Sequence, residues 1–139
     1  MDLEKLTDRA KGFLQSAQTV AIRLNHQRIT PDHLLKALLE DKDGMCAGLM
    51  QAAGADPAIA VRETDAALAK IPAVSGAGAN QPPSVDNDLV RVIDQAEQIA
   101  KKAGDSFVTV ERLLLALTLS STIAAGKILA TAGLRTEDL

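Results

Sequence analysis

The chain has 139 residues, a formal net charge of −3 and a single cysteine, Cys46. That is enough for one domain with its own core, excludes an internal disulfide, and leaves no basic patch of the kind nucleic-acid binding requires. Hydrophobic residues make up 47% but aromatics only 1%, Phe13 and Phe107, so Ala and Leu must fill the core, which favours close-packed helices over strands.

The first predicted element opens at Leu6-Thr7, with Thr7 as N-cap. Ala10, Phe13, Leu14, Ala17, Val20, Ala21 and Leu24 follow at helical spacing, and Asn25, which tolerates the left-handed conformation, ends the helix. The second begins at Thr30-Pro31, a cap followed by a first-turn proline, and runs to about residue 41. The Thr30 hydroxyl is expected to accept from a backbone N–H. Ile29 before the cap and Leu34 one turn in are expected to form a hydrophobic staple. Gly44 breaks this helix. A third follows over about 45–53, closed by Gly54, and Asp56-Pro57 starts a fourth that reaches about Lys70.

Residues 71–84 change character. Gly, Pro and Ser dominate, helix propensity is low, and 76–83 is expected to be the most mobile segment outside the termini. Then the pattern returns. The spacing predicts helices over about 86–103, 109–119 and 122–132, with Gly104 and Gly133 at their ends and Lys101 and Lys102 in a last turn, where cations suit the dipole. Thr136-Glu137-Asp138 has the pattern of a cap and first turn, so an eighth helix cut short is the expectation, and with it a fragment of a longer polypeptide.

This return is a duplication. Val108-Thr109-Val110-Glu111-Arg112-Leu113-Leu114 answers Ile29-Thr30-Pro31-Asp32-His33-Leu34-Leu35 at an offset of 79, which also pairs Ala17 with Ala96, Ala21 with Ala100 and Gly54 with Gly133 without a gap. The expected architecture is all-α: one domain over 1–139, with repeat one over 1–70, a connector over 71–84 and repeat two over 85–139, the two four-helix units related by a pseudo-two-fold axis.

Catalytic patterns are not found. Gly126-Lys127 lacks both the leading glycine and the Ser/Thr of a phosphate loop. His26 and His33 have no partner at metal spacing, and His33 fits a half-covered first-turn residue. Cys46 has no adjacent base and fits a small buried apolar residue. Asp32 and Glu111 occupy equivalent first-turn positions. Each either stabilises its helix N-terminus, by about 0.3–1 kcal/mol, or the two flank the pseudo-axis and engage cations on a bound chain. Lys36 and Glu40 in repeat one correspond to Leu115 and Leu119 in repeat two, four residues apart on one helix face. That aliphatic face needs a cover, the eighth helix or the connector, or it is a sticky patch.

Taken together, Leu6-Thr7, Ala17-Gln18 with Ala21, Thr30-Pro31-Asp32-His33-Leu34-Leu35, Gly54, the run from Leu68 to Gly76, Gly104-Asp105 and Thr109-Val110-Glu111-Arg112-Leu113-Leu114 resemble the Clp N-terminal domain family over essentially the whole chain. Within it, Ile71-Pro72-Ala73-Val74 and the Met-Asp opening are more similar to the ClpB disaggregase branch than to ClpA or ClpC. The family pattern has His where this chain has Arg112. The resemblance implies a non-catalytic domain at the front of a hexameric AAA+ ATPase, itself monomeric and without a cofactor, ATP and Mg belonging to the rest of the parent. It implies unfolded or aggregated protein clients, or alternatively an adaptor protein, and neither nucleic acid nor membrane as partner. It also implies substrate-handling roles for Thr7, Asp105 and Glu111, whose bland alternatives are a helix cap, a turn residue and a dipole partner. Asp32, Leu115 and Leu119 complete the expected site, a shallow apolar groove rimmed by carboxylates. The opening Met1-Asp2-Leu3-Glu4-Lys5 has no signal-peptide pattern, and 113–126 is too short and too rich in Ser and Thr to span a membrane, so a cytoplasmic location is expected.

Overall fold

In the computed structural model, residues 3–74 and 81–139 are described. Among them, repeat one contributes α1 (Asp8–Arg23), α2 (Pro31–Leu39), α3 (Met45–Ala52) and α4 (Pro57–Ala69). Repeat two contributes α5 (Asn87–Lys102), α6 (Val110–Leu119) and α7 (Ala124–Thr131). Each of α5, α6 and α7 begins 79 residues after its counterpart, as Asn87 follows Asp8, and a 3-10 turn at Thr136–Asp138 begins 79 after Pro57.

Local chemistry sets most boundaries. The Ala10 N–H donates to Thr7 Oγ1 at 3.1 Å, the Ala58 N–H to Asp56 Oδ1 at 3.0 Å and the Arg112 N–H to Thr109 Oγ1 at 3.4 Å, each satisfying a donor the first helical turn leaves free. Asn25 and Gly104 both end their helices at positive φ, 59° and 80°. In both places the next N–H then reaches back to the helix, His26 to the Ala21 carbonyl (2.9 Å) and Asp105 to the Ala100 carbonyl (2.8 Å). Thr30 is the N-cap of α2 and forms a capping box with His33: its own N–H donates to His33 Nδ1 at 2.8 Å, and its hydroxyl lies 2.9 Å from that nitrogen. One start differs from expectation. The seventh helix starts at Ala124 rather than residue 122, because Ile123 is held extended as its N-cap.

One core serves both repeats, with Leu34, Leu35, Leu38, Leu113, Leu114 and Leu117 fully buried. The staple residues Ile29, Leu34, Val108 and Leu113 are all buried in this core. α2 packs against α1, α4 and α7, and α6 against α5 and α7. Among the described residues no single helix is long and apolar enough to cross a membrane, and the apolar pair α6–α7 is bent by 94°.

Two pieces of extended chain tie the repeats together, and no expectation anticipated them. β1 (Arg28–Ile29) pairs in parallel with β2 (Ser84–Val85), matching Ile29 to Val85, and Leu6 bridges Val108 in parallel. Leu6 and Val85 are equivalent positions, as are Ile29 and Val108. The lead-in of each repeat is thus paired with the other repeat, a reciprocal exchange. The Thr7 N–H donates to the Val108 carbonyl (3.0 Å), and the equivalent Asp86 N–H donates to the Ile29 carbonyl (3.0 Å). The connector is accordingly fastened at both described ends, Val74 N–H to the Asn25 carbonyl (2.8 Å) and Ser84 N–H to the Gln27 carbonyl (3.0 Å). Of the segment expected to be mobile, 76–83, residues 76–80 lie outside the described residues.

Candidate functional site

The Leu6–Val108 bridge also builds an open groove. Residues alternate in direction along extended chain. Leu6 and Val108 are buried in the core, so Lys5 and Thr7 on one strand, and Phe107 and Thr109 on the other, take the outer side. Thr109 then starts α6 and puts Glu111 in its first exposed turn. Gly104 turns the chain so that Asp105 faces Arg112 one helical turn further on. Arg112 Nη2 and Nε donate to Asp105 Oδ2 at 3.0 and 3.3 Å. The result is a groove of about 760 Å³, lined by Thr7, Asp105, Phe107, Glu111, Arg112 and Leu115, with Leu49 from α3 and the terminal Asp138 and Leu139.

Of the residues singled out from sequence, the fold brings Thr7, Asp105, Glu111 and Leu115 to this groove and leaves Asp32 and Leu119 off its lining. Leu119 is 41% exposed. Asp32 is only 9% exposed, and its Oδ1 has no hydrogen-bond partner among the described residues. The duplication therefore does not yield two rim carboxylates. In repeat one α4 packs on α2, the counterpart of α6. Lys36, the counterpart of Leu115, bonds Asp65 of α4 at 2.7 Å, and Arg23 bonds Glu40 at 3.2 Å. The charged face of α2 is thus covered by ion pairs, whereas the aliphatic face of α6 is partly open.

Phe107 escaped the sequence reading and is 53% exposed in the groove wall. A signal existed: it is one of two aromatics in the chain, and at the 79 offset it stands where repeat one has Arg28. Arg28 bonds Asp86, the counterpart of Thr7, at 3.6 Å. The same backbone frame is closed by an ion pair in repeat one and left open beside an aromatic ring in repeat two.

The two histidines also differ from expectation. His33 is fully buried rather than half covered, and its Nε2 lies 2.8 Å from His26 Nδ1. Because His33 Nδ1 accepts from the Thr30 N–H, Nε2 carries the proton and donates to His26. His26 in turn bonds the Ile71 carbonyl. Burial, then the charge of His26, pushes His33 down to about 4, while burial lowers His26 against the opposing effect of Ile71. Burial alone raises Asp32 to about 6. Burial, then Asp41, raises the Cys46 thiol to about 12, so it stays protonated and unreactive. Among the described residues no three His, Cys, Asp or Glu side chains stand where they could hold a metal ion. Chemically, the groove offers an aromatic ring and aliphatic side chains to an apolar group, and Glu111 to a cation.

Known proteins share this fold. The family described as the Clp repeat (R) N-terminal domain matches residues 5–132. The chain is 52% identical over 133 residues to chaperone protein ClpB of Rhizobium meliloti (strain 1021), covering 96% of this chain and 15% of that protein. The chain thus spans a small part of the relative's length. Among solved structures it resembles the Hsp104 N-terminal domain from Candida albicans, with a TM-score of 0.80 at 22% identity over 96% of this chain and 85% of that one. It also resembles a ClpV N-domain in complex with a VipB peptide, with a TM-score of 0.75 at 18% identity over 99% and 83%. These two likenesses concern the fold alone.

Proposed function

This chain belongs to the Clp repeat N-terminal domain family, and from that premise we propose that it is the substrate-binding N-terminal domain of a ClpB-like protein disaggregase. The domain carries no catalysis of its own. It captures exposed hydrophobic segments of unfolded or aggregated proteins in the groove beside Thr7, Phe107 and Leu115, and passes them to ATP-driven modules of a hexameric, cytoplasmic parent that hold ATP and Mg. The observation that carries this reading is the exposed aromatic and aliphatic wall of the groove, with Glu111 on its rim. Burial of apolar surface is non-directional, so the site selects weakly among sequences, as a chaperone that meets many clients requires.

A second reading is docking of a folded adaptor protein on the same exposed apolar wall. Titration of the chain with a permanently unfolded model protein, followed by fluorescence anisotropy, tests the first reading. Saturable binding that a Phe107→Ser substitution weakens is the expected result. Absence of binding at any accessible concentration overturns it and leaves the adaptor reading.

A further inference from the structure

The groove does not end at Phe107. Asp105, Ser106 and Phe107 also line a second depression of about 180 Å³, whose other walls include Lys5, Glu97 and Lys101. The two hollows share Asp105, Ser106 and Phe107, next to the Leu6–Val108 bridge. Thr7 belongs to the larger and Lys5 to the smaller, and both residues are fixed by the bridge's hydrogen bonds: the Thr7 N–H donates to the Val108 carbonyl, and the Val108 N–H donates to the Lys5 carbonyl at 2.7 Å. Phe107 lines both.

The charges on the two sides differ in sign. Asp105 is matched by Arg112 at 3.0 Å, and Asp138 by Arg135 at 3.1 Å. Among the described side chains of the larger side, this leaves the exposed carboxylate of Glu111. On the smaller side two lysines face one glutamate, Glu97, and neither lysine forms an ion pair among the described residues. An anionic pole, an exposed aromatic ring and a cationic pole therefore follow one another across a continuous surface. Repeat one has no such series, because Arg28 and Asp86 close the equivalent place on each other.

We propose that the groove runs across Phe107 and takes an extended polypeptide segment in which an apolar side chain, seated on the Phe107 ring, lies between a basic residue held toward Glu111 and an acidic residue held toward Lys5 and Lys101. This rests on the substrate-binding reading and gives it a specificity: mixed-charge, apolar-centred segments are taken in one chain direction. The ring supplies most of the attraction, as aromatic anchors at the centre of an interface do. The flanking charges set orientation and preference.

The test uses the whole 139-residue chain and labelled peptides of equal length with a central leucine. One peptide has Arg before and Glu after the leucine, one has the reverse order, and two have either charge replaced by Gln. One of the two mixed-charge orders is expected to bind tightest. Phe107→Ser is expected to weaken every peptide, by about tenfold. Lys5→Glu with Lys101→Glu is expected to weaken only the Glu-bearing peptides, by about three- to tenfold. Phe107→Leu, which keeps an apolar contact, is expected to restore part of the loss, and circular dichroism checks that each variant is folded. Equal effects of the lysine substitutions on all peptides, or Phe107→Ser binding within about twofold of the parent chain, overturn the inference. If no peptide binds while the unfolded model protein still does, the inference falls and the substrate-binding reading stands. If neither binds, both fall.

Discussion

His26 Nδ1 and His33 Nε2 meet at 2.8 Å inside repeat one, at the two positions where repeat two has Asp105 and Arg112 paired at 3.0 Å nearer the surface. One backbone arrangement, a left-handed helix stop followed by the next helix's first turn, holds a neutral hydrogen bond in one copy and an ion pair in the other. Burial decides between them. A buried ion pair carries a large desolvation penalty, whereas two neutral imidazoles can share a proton donor without charge.

Replacement of the two members should therefore differ in effect. His33→Leu leaves the Thr30 N–H and His26 Nδ1 without partners in the interior and should destabilise the chain by about 2–4 kcal/mol. Arg112→Leu breaks a partly exposed pair and should cost at most about 1 kcal/mol. Urea denaturation of both variants checks this, and equal losses would contradict it.

Acid should act through opposing groups. His33 is depressed from 6.5 to about 4, so its contribution is complete above pH 6.5 and is lost as pH falls toward 4. Asp32 is raised from 3.8 to about 6, so its contribution is complete below pH 3.8 and is lost as pH rises through 6. Between pH 4 and 6 the two offset each other. Asp32→Asn removes one side of this balance, so the variant should lose stability more steeply than the parent chain on acidification from pH 6 to 4, and should gain relative to it at pH 7. Parallel stability–pH curves would show that Asp32 is ionised in the fold throughout.

Two glycines should respond in opposite directions. A Cβ at Gly126 would stand 2.0 Å from the Ser120 carbonyl oxygen, whereas one at Gly48 would meet nothing within 4 Å. Gly126→Ala must push α7 off the end of α6 and should destabilise by about 1–3 kcal/mol or more. Gly48→Ala, inside α3, should stabilise by about 0.5–1 kcal/mol. Thermal melts followed by circular dichroism distinguish the two, and a neutral Gly126→Ala would refute the close approach of α7 to the end of α6.

Glu111 and Asp32, equivalent in sequence, should part in binding. Glu111→Gln should cost the fold at most about 1 kcal/mol yet weaken binding of an unfolded model protein by about threefold or more. Asp32→Asn should leave affinity unchanged, and the double variant should match Glu111→Gln alone. A loss of affinity in Asp32→Asn with helicity retained would return Asp32 to the site.

Much of this was legible in the sequence, because its signals are local or repeated. Thr7, Asp56 and Thr109 cap within one turn of where they stand. Asn25 and Gly104 mark stops through their own backbone preference, and the apolar spacing of α1 and α5 needs no knowledge of what they pack against. The 79-residue offset carries the rest of the architecture, and Thr7, Asp105 and Glu111, which the family resemblance implies, line one groove with Leu115. What only the tertiary structure decided lies between segments far apart in the chain. Leu6 meets Val108 and Ile29 meets Val85 through backbone hydrogen bonds, which leave almost no trace in side-chain identity. Asp32 is buried and Glu111 exposed at equivalent first-turn positions, and only the placement of distant segments around each decides that. Phe107 shows the same limit: an aromatic residue has the same local signature in a core or on a surface, and only the placement of its neighbours settles which.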